Sequence, residues 1–135
     1  MIPDSEYKIL VTGARGQIGA DLVPALNRRY GMERVLSCGR HSPTTAVGRF
    51  EILDVTDFQA LVHAVSRHGI TTIYHLAGIL SAKGEKNPEA CWQINLNGLR
   101  NILEVARLHR CRVFWPSSIA VFGPRTPKRN TPQET

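Results

Sequence analysis

At 135 residues and 42% hydrophobic content, the chain has the size and composition of one globular domain with one core, with no room for a second, substrate-binding domain. No apolar run approaches the roughly 20 residues that span a bilayer, and residues 1–7 are too polar for a secretory leader, which predicts a cytoplasmic protein with no membrane partner. Lysine and arginine outnumber aspartate and glutamate by 17 to 11, a net charge of +6. These charges are dispersed and lack interleaved aromatic platforms, which argues against nucleic acid and leaves an anionic dinucleotide or an acidic segment as the counterpart.

In residues 8–19, KILVTGARGQIG, an apolar strand stops at Gly13 and glycines recur at positions 16 and 19. A strand that turns through glycines into a helix aims backbone N–H groups and the positive helix end at one spot, which suits a phosphate. Ile18, Leu22, Ala25 and Leu26 continue at helical spacing over 17–29, and Pro24 is expected to kink that helix. A second strand follows at 34–37, a loop at 41–47, and a third strand at 50–53 that ends at Asp54. Thr56 or Asp57 is the cap of the next helix, whose apolar face is Phe58, Leu61, Val62 and Val65 and whose stop is Gly69. A fourth strand at 72–76 enters Ala77 and Gly78. Asn87 and Pro88 start a helix over 88–109 with Cys91, Ile94, Gly98, Ile102 and Val105 on one face, and a fifth strand begins at Arg112.

Strands alternating with helices predict an α/β fold, a doubly wound parallel sheet; for the dinucleotide-binding order 3-2-1-4-5-6, here truncated after the fifth strand, the nucleotide lies across the strand C-terminal ends between strands one and four. The tail after Gly123 is polar, proline-rich and aperiodic, and is expected to be loop. Cys38, Cys91 and Cys111 are scattered and odd in number, so they are expected to be buried reduced thiols with no disulfide frame and no metal site.

Five motifs stand in order at the strand ends: TGxxGxxG with Gly13, Gly16 and Gly19, LDVTD at 53–57, HLAG at 75–78, NLNG at 95–98 and SSIAVFG at 117–123. Together they resemble the extended short-chain dehydrogenase/reductase family, whose members carry a Rossmann fold. Within it, ILSAKGEKNP at 79–88 and FWPSSIAVFGPRTPK at 114–128 are more similar to the L-threonine 3-dehydrogenase branch than to nucleotide-sugar epimerases. The resemblance covers nearly all of this chain but only the N-terminal part of a typical member. It implies residues 1–123 as a dinucleotide-binding domain and 124–135 as a polar tail that begins a missing catalytic segment.

The resemblance also implies roles. Gly13, Gly16, Gln17, Ile18 and Gly19 would cradle the pyrophosphate, Asp54 and Val55 would sit by the adenine, and Leu76, Ala77 and Gly78 would line the middle of the cofactor. Asn95 would support the same side of the cleft. Ser118 falls where the family places a hydroxyl that orients the reacting alcohol, and Ser81 falls where the threonine branch contacts an L-threonine-like substrate. Plainer alternatives stand beside these: Ser117 and Ser118 as strand-end caps, Asn95 bonding within its helix, His75 as a structural strand-end residue.

The chemistry implied is hydride transfer from a secondary alcohol to NAD or NADP, with a tyrosine base and a lysine four residues on. Tyr7, Tyr30 and Tyr74 are the chain's tyrosines and none has lysine four positions later. The chain is therefore expected to be an N-terminal fragment that binds nicotinamide dinucleotide and is inactive alone. A nucleotide-sugar epimerase or dehydratase fragment, and a non-catalytic dinucleotide-binding sensor or interaction module, remain as alternatives. After the second strand, where NAD sites carry an acidic residue, the chain offers Cys38, Gly39 and Arg40, with Arg15 in the glycine turn. Two cations suit a 2′-phosphate and hence NADP; a solvated Arg40 and a lost acidic contact is the equal alternative. One apolar stripe of the 88–109 helix is implied to belong to a homo-oligomer interface.

Overall fold

The computed structural model describes residues 6–44, 48–80, 84–118, 122–127 and 129–131. β1 (Ile9–Thr12) is buried along its whole length, as a strand must be when both faces of the sheet are covered. It pairs in parallel with β2 (Val35–Gly39) on one side and β4 (Thr72–His75) on the other. β3 (Arg49–Ile52) lies outside β2 and β5 (Arg112–Phe114) outside β4, giving the order β3-β2-β1-β4-β5. The observed order is that of the first five strands of the predicted one, and the chain changes direction across the sheet between β1 and β4. Strand ends differ from the sequence reading by one or two residues. β2 runs on to Gly39, for example, and Arg34 belongs to a short 3₁₀ turn at Met32–Arg34.

α1 (Gln17–Tyr30) continues through Pro24 without interruption. The proline has no N–H for the carbonyl one turn back, but it does not end the helix. α2 (Phe58–His68) begins at Asp57, whose carboxylate accepts from the Ala60 N–H at 3.0 Å, and ends at Gly69 with φ 60°. Of the two candidate caps the aspartate takes the role, because Thr56 is engaged by Asp54.

The helix predicted over 88–109 is continuous but not uniform, and this corrects the sequence reading. α3 (Pro88–Trp92) starts at Asn87, whose side chain accepts from Ala90 N–H, and passes through a π-helical turn at Gln93–Asn97 into α4 (Gly98–His109). A π turn holds one more residue than an α turn and shifts the phase of every side chain beyond it. The turn closes at Gly98, which lies so near Val55 that a Cβ would sit 2.7 Å from Val55 Cγ2.

Two cores flank the sheet. On one face Leu10, Leu36, Cys38 and Ile73 pack against Leu61 and Val65 of α2 and Ile102, Val105 and Ala106 of α4. On the other, Ile9, Val11 and Val35 pack against Val23 and Leu26 of α1. Beyond α1 this second face carries Tyr74 and Phe114, whose rings are 5.5 Å apart, and Phe114 remains 53% exposed. The cysteines are all free, but only Cys38 is buried; Cys91 and Cys111 are half-buried.

Replacing Gly98 with alanine should lower stability by about 1–3 kcal/mol through the forced contact with Val55, against a helix-propensity gain of about 1 kcal/mol. Thermal unfolding measures the balance, and a Tm at or above wild type would show that Val55 gives way freely.

Candidate functional site

The C-terminal ends of β1, β2, β3 and β4 open onto one cleft, lined by Thr12, Gly13, Cys38, Gly39, Arg40, Leu53, Asp54, Val55, Ala77, Gly78, Ile79 and Ile94. Its floor is the turn after β1. Gly13 has φ 66°, and a Cβ there would lie 2.5 Å from Ala77 N and 2.6 Å from Leu76 C. Those neighbours are backbone and cannot rotate aside, so only glycine lets β1 turn against the end of β4. Leu76 N donates to Thr12 O at 3.1 Å and Ala77 N to Thr12 Oγ1 at 3.3 Å, so one threonine fixes the segment after β4 through two contacts. Gly19 is likewise required by packing, since a Cβ would lie 2.6 Å from Ala14 O.

Gly16 is different. It is exposed, its φ is −74°, and a Cβ would meet only Gly13 O, at 3.2 Å. It precedes α1, whose first turn has no acidic residue and no side-chain cap. Asp57 caps α2 and Asn87 caps α3. The first-turn N–H groups of α1 are therefore offered outward, with the positive end of the helix dipole behind them. Gln17 and Ile18 sit exposed at that helix start, Ile18 at 59%.

At the other end of the cleft, Asp54 is held in place: its Oδ1 accepts from Thr56 N at 2.9 Å and from Thr56 Oγ1 at 2.8 Å. Val55 beside it is buried against α4. Arg40 is exposed at the rim, and Arg15 donates to the Ser42 carbonyl at 3.3 Å. The Cys38 thiol lines the cleft, but burial pushes its pKa up to about 12, with Glu51 adding to the rise, so it is neutral and not a nucleophile.

Asn95 lies in the π turn. Its Oδ1 accepts from Ile79 N at 2.7 Å and its Nδ2 donates to Ile79 O at 2.9 Å and to Cys91 Sγ at 3.3 Å. The amide thus bonds locally and also clamps the backbone of the segment after β4, while its neighbour Ile94 lines the cleft. Leu76 is half-buried toward the α1 core, leaving Ala77, Gly78 and Ile79 to line the cleft. Ser118 is exposed, four residues beyond the end of β5. Ser81 lies outside the described residues.

The sequence reading left His75 as a structural residue without a partner, and the structure supplies one. Thr12 and His75 are register neighbours, and Thr12 Oγ1 and His75 Nδ1 are hydrogen-bonded at 2.8 Å. His75 is 1% exposed, its Nε2 has no partner among the described residues, and burial lowers its pKa from 6.5 to about 4. A polar pair at matching positions of the two central strands was the available signal. None of the three tyrosines stands at the cleft. Tyr7 and Tyr30 pack together at 5.3 Å, and Tyr7 Oη accepts from Arg112. Tyr74 lies against Phe114, and burial raises its pKa, the opposite of what a base needs.

A parallel sheet of this order with a glycine turn and an uncapped helix at its switch point defines a dinucleotide-binding α/β domain. The chain belongs to the NAD dependent epimerase/dehydratase family, whose pattern it matches over residues 9–135. It is 48% identical over 133 residues to an uncharacterized epimerase/dehydratase of Staphylococcus epidermidis, covering 95% of this chain and 42% of that protein. Among solved structures it is similar to a monomeric L-threonine 3-dehydrogenase from a metagenome, with a TM-score of 0.86 and 47% identity over 93% of this chain and 41% of that one. It is also similar to a GalE-like L-threonine dehydrogenase from Cupriavidus necator in its holo form, with a TM-score of 0.82 and 49% identity over 89% and 40%. The chain spans about two fifths of the length of these relatives.

His75 yields a pH prediction. Below pH 6.5 an unfolded chain takes up a proton that the folded one refuses until about pH 4, so its contribution to stability falls across that interval, by roughly 3 kcal/mol in all. Denaturant melts of wild type and His75→Asn between pH 7 and 4 should converge as pH falls; parallel curves would show that His75 protonates in place.

Proposed function

We propose that this chain is the dinucleotide-holding part of an L-threonine 3-dehydrogenase-like oxidoreductase. The observation that carries the reading is the start of α1: Gly16 is exposed, a Cβ there would press only on Gly13 O, at 3.2 Å, and the helix it opens has no side-chain cap. A backbone that must approach a pyrophosphate needs a glycine there for a reason beyond the tight fit beside Gly13 O. The turn is thus suited to NAD(P), which when bound supplies the hydride acceptor.

In this reading Gly13 and Gly19 set the shape of the turn, while Gly16 and the N–H groups at Gln17 and Ile18 hold the pyrophosphate. Asp54 and Val55 border the adenine. Thr12 fixes the segment Leu76, Ala77 and Gly78 along the middle of the cofactor. Asn95 is a positioning residue that acts through the Ile79 backbone. Ser118 orients the reacting alcohol and Ser81 contacts the amino-acid substrate. Residues 1–123 form the binding unit and 124–135 a tail outside it. A non-catalytic dinucleotide-binding module is the second reading, favoured by the placement of all three tyrosines away from the cleft.

Calorimetric titration of the 135-residue chain with NAD and NADP tests the first reading. At least one should bind, Gly16→Val should weaken that binding more than tenfold with little change in Tm, and the chain should show no L-threonine oxidation. Absence of any dinucleotide binding would sink the proposal, and turnover at ordinary dehydrogenase rates would overturn the expected inactivity.

The same chain is expected to self-associate. Trp92, Leu96 and Leu103 are 62%, 46% and 51% exposed along α3 and α4, and Phe114 and Trp115 are exposed at the β5 edge. Apolar surface of this extent favours a second copy. Sedimentation at micromolar concentration should give a dimer or larger; a monomer that unfolds cooperatively would refute it.

A further inference from the structure

Dinucleotide sites distinguish NAD from NADP at the end of the second strand. An NAD site carries an acidic side chain about 20 residues past the glycine turn, where it accepts from the ribose 2′-hydroxyl, and an NADP site carries a cation for the 2′-phosphate. In this chain β2 ends at Gly39. The glycine there is not a demand of the fold. Its φ is not positive, and a Cβ would meet only the Phe50 ring, at 3.6 Å, an ordinary contact. Packing leaves space for a carboxylate that the sequence does not provide.

Neighbouring carboxylates do not fill the role either. Glu51, paired with Cys38 across β2 and β3, is bound by Arg67 at 2.7 Å and by His68 at 2.9 Å. Asp54 is held by Thr56. Two cations stand instead on the short stretches that meet here. Arg40 follows Gly39 directly and lines the cleft. Arg15 rises from the glycine turn and reaches the loop after β2, donating to the Ser42 carbonyl. Its guanidinium has five donors, and that contact occupies one Nη1 donor. Among the described residues neither arginine is paired with a carboxylate. Both are exposed; Arg40 lines the cleft, whereas Arg15 borders the neighbouring hollow between α1 and the loop after β2, beside Ser37, Pro43 and Phe50.

We infer that this site selects NADP, with Arg40 and Arg15 as the specificity-determining residues that receive the 2′-phosphate. The inference rests on the dinucleotide reading above. Arginine suits the task because its planar donors can take two phosphate oxygens at once. The absence of a carboxylate at Gly39 also removes the repulsion that would otherwise exclude a phosphate.

The test is calorimetry of the 135-residue chain and two variants with NADP and with NAD under one buffer. Wild type should bind NADP about tenfold or more tightly than NAD. Arg40→Ala should lose about tenfold in NADP affinity while NAD affinity stays within about threefold, and Gly39→Asp should reverse the preference. Retained NAD binding shows that each variant is folded. Equal affinities in wild type, or an NAD preference unmoved by Arg40→Ala, would overturn the inference and leave the dinucleotide reading intact. No binding of either dinucleotide would remove that reading, and this inference with it.

Discussion

The close approach of Gly13 to the backbone at Leu76 and Ala77 is the constraint on which the rest depends. β1 is the central strand, and its turn must clear the end of β4 with no side chain between them. Once that contact forms, Thr12 is placed to bond Leu76 N and Ala77 N, and its hydroxyl meets His75. The segment after β4 then runs outward to Ile79, where Asn95 fastens it to the π turn. One glycine with positive φ thus ties the nucleotide-facing turn, the second central strand and the long helix into one rigid wall of the cleft.

Much of this was legible in the sequence because it follows from periodicity and glycine spacing. Alternating strand and helix patterns give the sheet order, and the buried run of β1 gives its central place. The π turn was not legible. The apolar positions 91, 94, 98, 102 and 105 fit an ordinary helix, and a single extra residue per turn leaves no mark on such a short pattern. Its purpose is visible only in three dimensions, where it brings the Asn95 amide round to a loop sixteen residues away in sequence. The Thr12–His75 pair escaped for a related reason, since strand register decides which residues become neighbours and register is a tertiary fact.

The glycines of the motif divide the work between folding and binding. A Cβ at Gly13 or Gly19 would lie 2.5 or 2.6 Å from backbone atoms of the protein itself, whereas one at Gly16 would meet only Gly13 O, at 3.2 Å. Sequence spacing gives all three equal weight. The Cβ geometry separates them, and the separation agrees with the electrostatics: Asp57 and Asn87 cap their own helices, but α1 keeps its donors unclaimed behind Gly16. An uncapped helix start beside two capped ones is what the proposed pyrophosphate site calls for.

The same division governs what can change without disturbing the fold. In the proposed site, pyrophosphate recognition lies in backbone N–H groups and in missing side chains, so it follows the geometry of β1, α1 and β4 and shows plainly in sequence. In the proposed site, recognition of the ribose falls to the end of β2 and the glycine turn, at Gly39, Arg40 and Arg15. Arg15 and Arg40 are exposed, and the Phe50 ring leaves space beside Gly39. Their identities are therefore free of packing and answer to the electrostatics of the bound group alone. A carboxylate there excludes a phosphate, and a guanidinium attracts one. Family membership consequently constrains the shape of the turn much more tightly than it constrains which dinucleotide the turn holds.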